Sequence, residues 1–289
     1  MKGKTFFSLL TLSLVLSLGL AGCATRAAGS PLQDTPATQL VSEPQVVEWR
    51  QFERALSFSY PLGLAAEVEA TLVPAVPYDP NQGVPGMALA HPDFAQFYFM
   101  NYQGGQEFWL PYPLAGAQIL VIPTADFAAF GADLPIAYAS QLAALRGLLA
   151  EHPELSNLLP AENNGDNLLP FLPRLSAQQM FVALPQYLEF GSGSGIRYLT
   201  AFSQDGFVVD PSVFYTFQGL SEDGQLYVSA TLPVRTGLFP EAYGVNPDPA
   251  AFQALLKKTI EQLGAAGEPA LSPTLAELDA TMRSLQIVK

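Results

Sequence analysis

Cys23 is the one thiol in this 289-residue chain, and it is the most specific chemical group the sequence offers. With no second cysteine the chain can close no internal disulfide and build no cysteine-based zinc site. Its surroundings narrow its use. Leu20-Ala21-Gly22 precedes it, at the end of an apolar run from Phe6 to Leu20 broken only by Ser8, Thr11, Ser13, Ser17 and Gly19. Lys2 and Lys4 stand in front of that run. A cationic start, a short apolar stretch and small residues at its end are the layout of a cleavable export signal. The run is shorter than the ~20 apolar residues a spanning helix needs. An uncleaved anchor, or a signal cut at another bond, is the competing reading.

The other reactive residue types form weaker patterns. His91 and His152 each precede a proline, and neither has a His, Asp or Glu at the helical spacing of a metal site. No metal and no cofactor is therefore expected. Gly191-Ser192-Gly193-Ser194-Gly195 has glycine where a nucleophile elbow needs serine. A strand-like segment follows it, not the helix of a phosphate loop, so it reads as a hairpin tip. Asp79-x-Asn81-x-Gly83 and Asn163-Asn164-Gly165-Asp166-Asn167 lack the closing Glu of a calcium loop and read as turns. Asp205, Asp210, Glu222 and Asp223 fall near the late hairpins and could supply the carboxylate pair of a polymer hydrolase. Trp109 and Tyr112, in Phe108-Trp109-Leu110-Pro111-Tyr112-Pro113, join Tyr198 and Tyr227 as rings able to stack on a ligand. The alternative is that these rings cover the core edge.

Composition restricts partners. Removal of Lys2 and Lys4 with the signal leaves 11 basic against 26 acidic side chains, a formal net charge of −15. Nucleic acid and a polybasic lipid contact both require clustered Lys and Arg, and are excluded on this ground. Charged residues make up only 13% of the chain while 48 positions are Gly or Pro, so much apolar surface must be buried between many turns.

The elements that must position these residues follow. Residues 23–45, rich in Ala, Thr, Ser and Pro, read as a tether that buries too little to order itself. Residues 46–289 read as one domain. Leu56, Phe58 and Tyr60 alternate with serines, as do the apolar positions of Glu67–Val73 with its charges. Phe94–Tyr102 is a third strand, with Phe97, Phe99 and Asn101 on one face. Ile119-Leu120-Val121-Ile122 predicts a strand covered on both sides. Tyr138, Leu142, Leu145 and Leu149 stripe a helix between Pro135 and Pro153.

Two hairpins close the sheet. In the first, Phe190 faces Ile196 and Glu189 faces Arg197 across the glycine-serine tip. In the second, Leu220 faces Gln225 across Ser221–Gly224. That register gives an oily face (Tyr215, Phe217, Val228, Ala230) and a hydroxyl-rich face (Thr216, Gln218, Tyr227, Ser229). Two helices end the chain. One is capped by Asp248 and Pro249 with Gly264 past its end; the other starts at Ser272-Pro273 and buries Leu275, Leu278, Met282 and Leu285. The expectation is an α+β fold: an antiparallel sheet with two late hairpins, packed by one mid-chain helix and two C-terminal helices.

Two resemblances rest on these segments. Leu20-Ala21-Gly22-Cys23 resembles the bacterial lipoprotein signal, which implies cleavage after residue 22, a diacylglycerol thioether on Cys23 and attachment to the membrane. Ala24 then stands where inner-membrane retention would place Asp, which favours the outer membrane in a two-membrane cell. Gly195–Thr200, Phe214–Leu220 and Asp223–Val234 together resemble a family of uncharacterised bacterial lipoproteins, which implies no assigned activity. A slighter similarity, through Phe58-Ser59-Tyr60-Pro61, is to PsbP-like domains and implies a sheet between helix layers. The functional expectation is a lipid-anchored binding or accessory module of the envelope that takes a partner protein or small ligand, with the polymer hydrolase as the alternative.

Overall fold

A run of four apolar residues with no polar alternation has no face to give to water, and β5 (Gln118–Pro123) has none. Ile119 and Val121 enter one hydrophobic core while Leu120 and Ile122 enter another, all at 1% exposure or less. The computed structural model describes residues 43–77, 90–104, 115–125, 127–130, 138–160, 168–175, 177–244, 248–265 and 271–289. Within them β5 is an interior strand, third in order, of a seven-stranded antiparallel sheet. Its other strands are β3 (Glu67–Val73), β4 (Phe94–Met100), β6 (Gln178–Phe190), β7 (Gly193–Ser203), β8 (Phe214–Ser221) and β9 (Leu226–Pro233), in the order β3-β4-β5-β9-β8-β7-β6. The class is α+β.

Layers cover both faces. On one side lies a second, three-stranded antiparallel sheet of β1 (Gln45–Gln51), β2 (Arg54–Tyr60) and β10 (Gln286–Val288), ordered β1-β2-β10. The sheets meet through aromatic edges: Phe58 on Phe97 at 5.3 Å, Trp49 on Phe97 at 5.7 Å and Tyr60 on Phe99 at 5.7 Å between ring centroids. Each such ring contributes about 1.5–3 kcal/mol of burial. Helices α2 (Pro249–Ala265) and α3 (Leu275–Arg283) join this core through Phe252, Leu256, Ile260, Leu263, Leu275, Leu278 and Met282. The opposite face is covered by α1 (Tyr138–Glu151), by Phe127 and by the irregular segment 168–175.

The helix ends carry their signals. Asp248 Oδ1 accepts from the Ala250 amide at 2.9 Å, ahead of Pro249 at the first position of α2. Gly264 lies inside that helix, not past it. The N-cap of α3 is Thr274, two residues beyond the expected start, in a capping box with Glu277. Leu285 is buried just after α3 ends. Asn101 leaves the β4 face: it is an exposed turn residue with φ 50°.

Both hairpin registers differ from expectation, and the difference is instructive. β6 and β7 turn on Gly191-Ser192 alone, so Phe190 faces Gly193, Glu189 faces Ser194 and Gln186 faces Arg197. This is an odd shift of three, and an odd shift exchanges faces. Phe190 and Ile196, expected side by side, sit in opposite cores. Gly193 and Gly195 are strand residues on which rings rest: a Cβ on Gly195 would fall 2.4 Å from the Phe217 ring and 2.6 Å from the Gln218 carbonyl oxygen. In the second hairpin Leu220 faces Tyr227 and Phe217 faces Ala230, an even shift of two that preserves both faces. Tyr215, Phe217, Val228 and Ala230 do share one core.

Gly195→Ala is expected to cost about 1–3 kcal/mol, because the added methyl must displace the Phe217 ring or the neighbouring backbone. Denaturant unfolding of the variant measures this. Unchanged stability would return Gly195 to a loop and contradict the register.

Candidate functional site

The turns β6–β7 and β8–β9 lie at the same end of the sheet, since Gly193 pairs with Ser221. The Glu222 amide donates to the Ser192 carbonyl at 2.9 Å, which binds the two tips together. The chain's last segment holds them from the other side: Gly191 N donates to Leu285 O at 3.0 Å and Ile287 N to Ser192 Oγ at 2.7 Å. The glycine-serine tip is thus a fixed feature. Between these tips and the C-terminal half of α1 runs a groove of about 550 Å³. Arg146 and Leu149 of α1 line it together with Glu189, Phe190, Ser194, Leu220 and Glu222. Arg146 Nη2 donates to the Gly224 carbonyl at 3.3 Å across the groove. Exposed Glu189 and Glu222 line the groove along with Arg146, so it can bond a ligand carrying both charge signs. A second groove of about 500 Å³, mainly apolar, lies by Pro44, Tyr60, Leu62 and Ala280.

The anticipated aromatic residues divide. Cys23, Trp109 and Tyr112 lie outside the described residues, as do Asp79–Gly83, Asn163–Asn167 and Pro135. Tyr198 and Tyr227 are fully buried, a correction to their expected ligand-facing position. Tyr198 Oη donates to the Pro170 carbonyl and Tyr227 Oη to Gln218 Oε1, both at 2.7 Å. Burial pushes both phenols up, and mutual proximity adds to the rise at Tyr227. The reason lies in segment 168–175, which covers the hydroxyl-rich face. Leu172 N donates to Gln218 Oε1 at 3.0 Å, Ser229 Oγ donates to Leu172 O, and Phe171 N donates to Gln141 Oε1 at 3.0 Å. Gln218, Ser229 and Tyr198 on this face are engaged in holding a piece of the chain itself.

The four carboxylates do not converge. Asp205, exposed beyond β7, accepts from Ser203 Oγ at 2.6 Å, and this bond lowers its pKa. Asp210, 1% exposed, accepts from the Thr236 amide and hydroxyl. Both belong to the β7–β8 connection, at the sheet end opposite Glu222 and Asp223. An eight-residue strand separates the two ends by about 24 Å, far beyond the ~5–9.5 Å of a hydrolytic pair. Glu222 alone of the four lines the groove. Asp223 accepts from Ser221 Oγ at 2.8 Å and pairs with Arg54 Nη2 at 2.6 Å; the hydroxyl first, then the guanidinium, hold its carboxyl well below the usual range. That pair ties β2 of one sheet to the β8–β9 turn of the other.

The histidines stand apart. His91 is buried, its amide and carbonyl bridged to Val76 and its Nδ1 donating to the Pro92 carbonyl at 2.8 Å; burial lowers its pKa. His152 stacks on Tyr187 at 4.3 Å. Among the described residues no three His, Cys, Asp or Glu side chains gather as a metal site would require. The groove residues Arg146, Glu189 and Ser194 went unrecognised in the sequence because they come together only through the tip register. The off-stripe position of Arg146 on α1 was the available signal. Comparison with protein-family models, with curated proteins and with solved structures finds no match.

Asp223→Asn is expected to lower stability by about 1–2 kcal/mol at neutral pH. The folded-state pKa of Asp223 is depressed, so its contribution is complete above the unfolded value of about 3.9 and is lost as pH falls below it. The gap between wild type and variant should therefore narrow from pH 4 downward in denaturant unfolding. A gap independent of pH would contradict the ion pair.

Proposed function

We propose that the chain is a lipid-anchored extracytoplasmic module, held to a membrane through a thioether on Cys23, with a folded domain that binds a partner or ligand in place of catalysing a reaction. One observation carries the reading: the sole cysteine follows Leu20-Ala21-Gly22 at the end of a short apolar run preceded by two lysines. A single acyl chain binds a bilayer weakly, and a diacylglycerol supplies the second chain that stable attachment requires. The resemblance to uncharacterised bacterial lipoproteins supports the same placement, at the outer face of the cell membrane or in an outer membrane. Binding is assigned to the groove at the hairpin tips, which Arg146, Glu189 and Glu222 line together with apolar Leu149 and Phe190. Such a lining suits a small zwitterion or a peptide segment of an envelope protein.

Metabolic labelling with radioactive palmitate tests the anchor. The wild-type chain is expected to carry label and sediment with membranes, and Cys23→Ser to carry none. Equal labelling of both chains, or an unlabelled wild type released to the medium, would overturn the reading.

A further inference from the structure

β1 is an edge strand. Among the described residues it pairs with β2 on one side and has no strand partner on the other. Its outward face carries Val46, at 65% exposure, with Glu48 and Arg50. Its inward face carries Val47 and Trp49, which pack on the core but remain only half-buried. An unpaired edge with half-buried apolar residues is a template for another strand unless charge opposes the pairing.

The edges β3 and β1 differ in that respect. β3, at the end of the seven-stranded sheet, exposes Glu67 and Glu69 two residues apart. Against an antiparallel copy of itself it would set like charges together, which repels. β1 exposes Glu48 and Arg50 at the same spacing, with opposite signs. A two-fold axis through Trp49 sets Glu48 opposite Arg50 of the partner subunit, twice over, and brings the two indoles together on the inner face. The neighbouring face-preserving registers would set Glu48 against Glu48 or Arg50 against Arg50. Odd registers would turn outward side chains against inward ones. Charge therefore selects one register.

We propose that β1 is a self-association edge: two copies of this chain pair antiparallel about Trp49 and join their three-stranded sheets into one of six. The partner is a second copy because the Glu48/Arg50 pattern is complementary to itself. This inference rests on β1 alone and is independent of the lipid anchor.

Glu48→Cys and Arg50→Cys, each in the full chain carrying Cys23→Ser, test it through register. Directly opposite residues of an antiparallel pair lie ~4.5–5.5 Å apart at Cα, within the ~4.4–6.8 Å span of a disulfide. Under mild oxidation an equimolar mixture of the two variants should yield about tenfold more disulfide-linked dimer than either alone. A mixture that cross-links no more than the single variants overturns the proposal. Charge reversal gives a second readout by sedimentation equilibrium. Glu48→Arg should weaken self-association about tenfold, and Glu48→Arg with Arg50→Glu should restore it. Failure of the double reversal to restore association likewise overturns the proposal.

Discussion

The central strands of the seven-stranded sheet, β5, β9 and β8, have no wet face, and the rest of the molecule follows from that constraint. Strands buried on both sides must find partners for their polar side chains from within, and among the described residues of β9 Thr231 Oγ1 is left without one. Gln218, with no exposed surface, meets this requirement completely. Its Nε2 donates to Thr216 and Ser229, and its Oε1 accepts from Tyr227 and from the Leu172 amide. An amide side chain can make four such bonds at most, two donated and two accepted. Segment 168–175 has no regular backbone pairing of its own. It is held against the sheet by side chains standing in for a neighbouring strand: Gln179 accepts from Leu168 and Leu169, Gln141 from Phe171, and Gln218 from Leu172.

That arrangement confines function to the margins. The hydroxyl-rich face, which in a one-sided sheet would line a ligand site, is occupied by the chain's own loop. Among the described residues the hairpin tips beside α1, the apolar groove near Pro44 and the strand edges are open. Two tethers keep the layers aligned at these margins. Arg54 joins Asp223 and Gln225 at one, and at another Arg197 on β7 reaches the Leu184 carbonyl, Gln186 and, at 3.4 Å, Asp279 of α3. Asp279 also accepts from Tyr215 Oη at 3.0 Å. Removing one member of such a buried set strands the others without partners.

What the sequence discloses depends on the period of the signal. The continuous run 119–122 discloses two-sided burial directly, because no alternation is left to interpret. The alternation at Leu56, Phe58 and Tyr60 and the helical stripe at Tyr138, Leu142 and Leu145 are equally plain. The second hairpin was legible to within an even step, so its faces were right although its partners were not. The first was misread by an odd step because Gly193 and Gly195 imitate a loop; the rings of Phe190 and Phe217 that cover them become apparent only in three dimensions. β1 was missed since its turn, Phe52-Glu53, takes φ of 52° and 58° without the glycine or asparagine that usually marks it. The burial of Tyr198 and Tyr227 was hidden because segment 168–175 carries no periodic signal. Cys23 stands on local spacing alone.

Amide hydrogen exchange across segment 168–175 tests the covered-sheet account most directly. Phe171 and Leu172 donate to buried side-chain oxygens of Gln141 and Gln218. The account predicts that these two amides exchange as slowly as those of β8 and β9, opening only with the whole domain. Exchange at the rate of an exposed loop would mean that the segment lifts freely, and the central strands would then have a wet face after all.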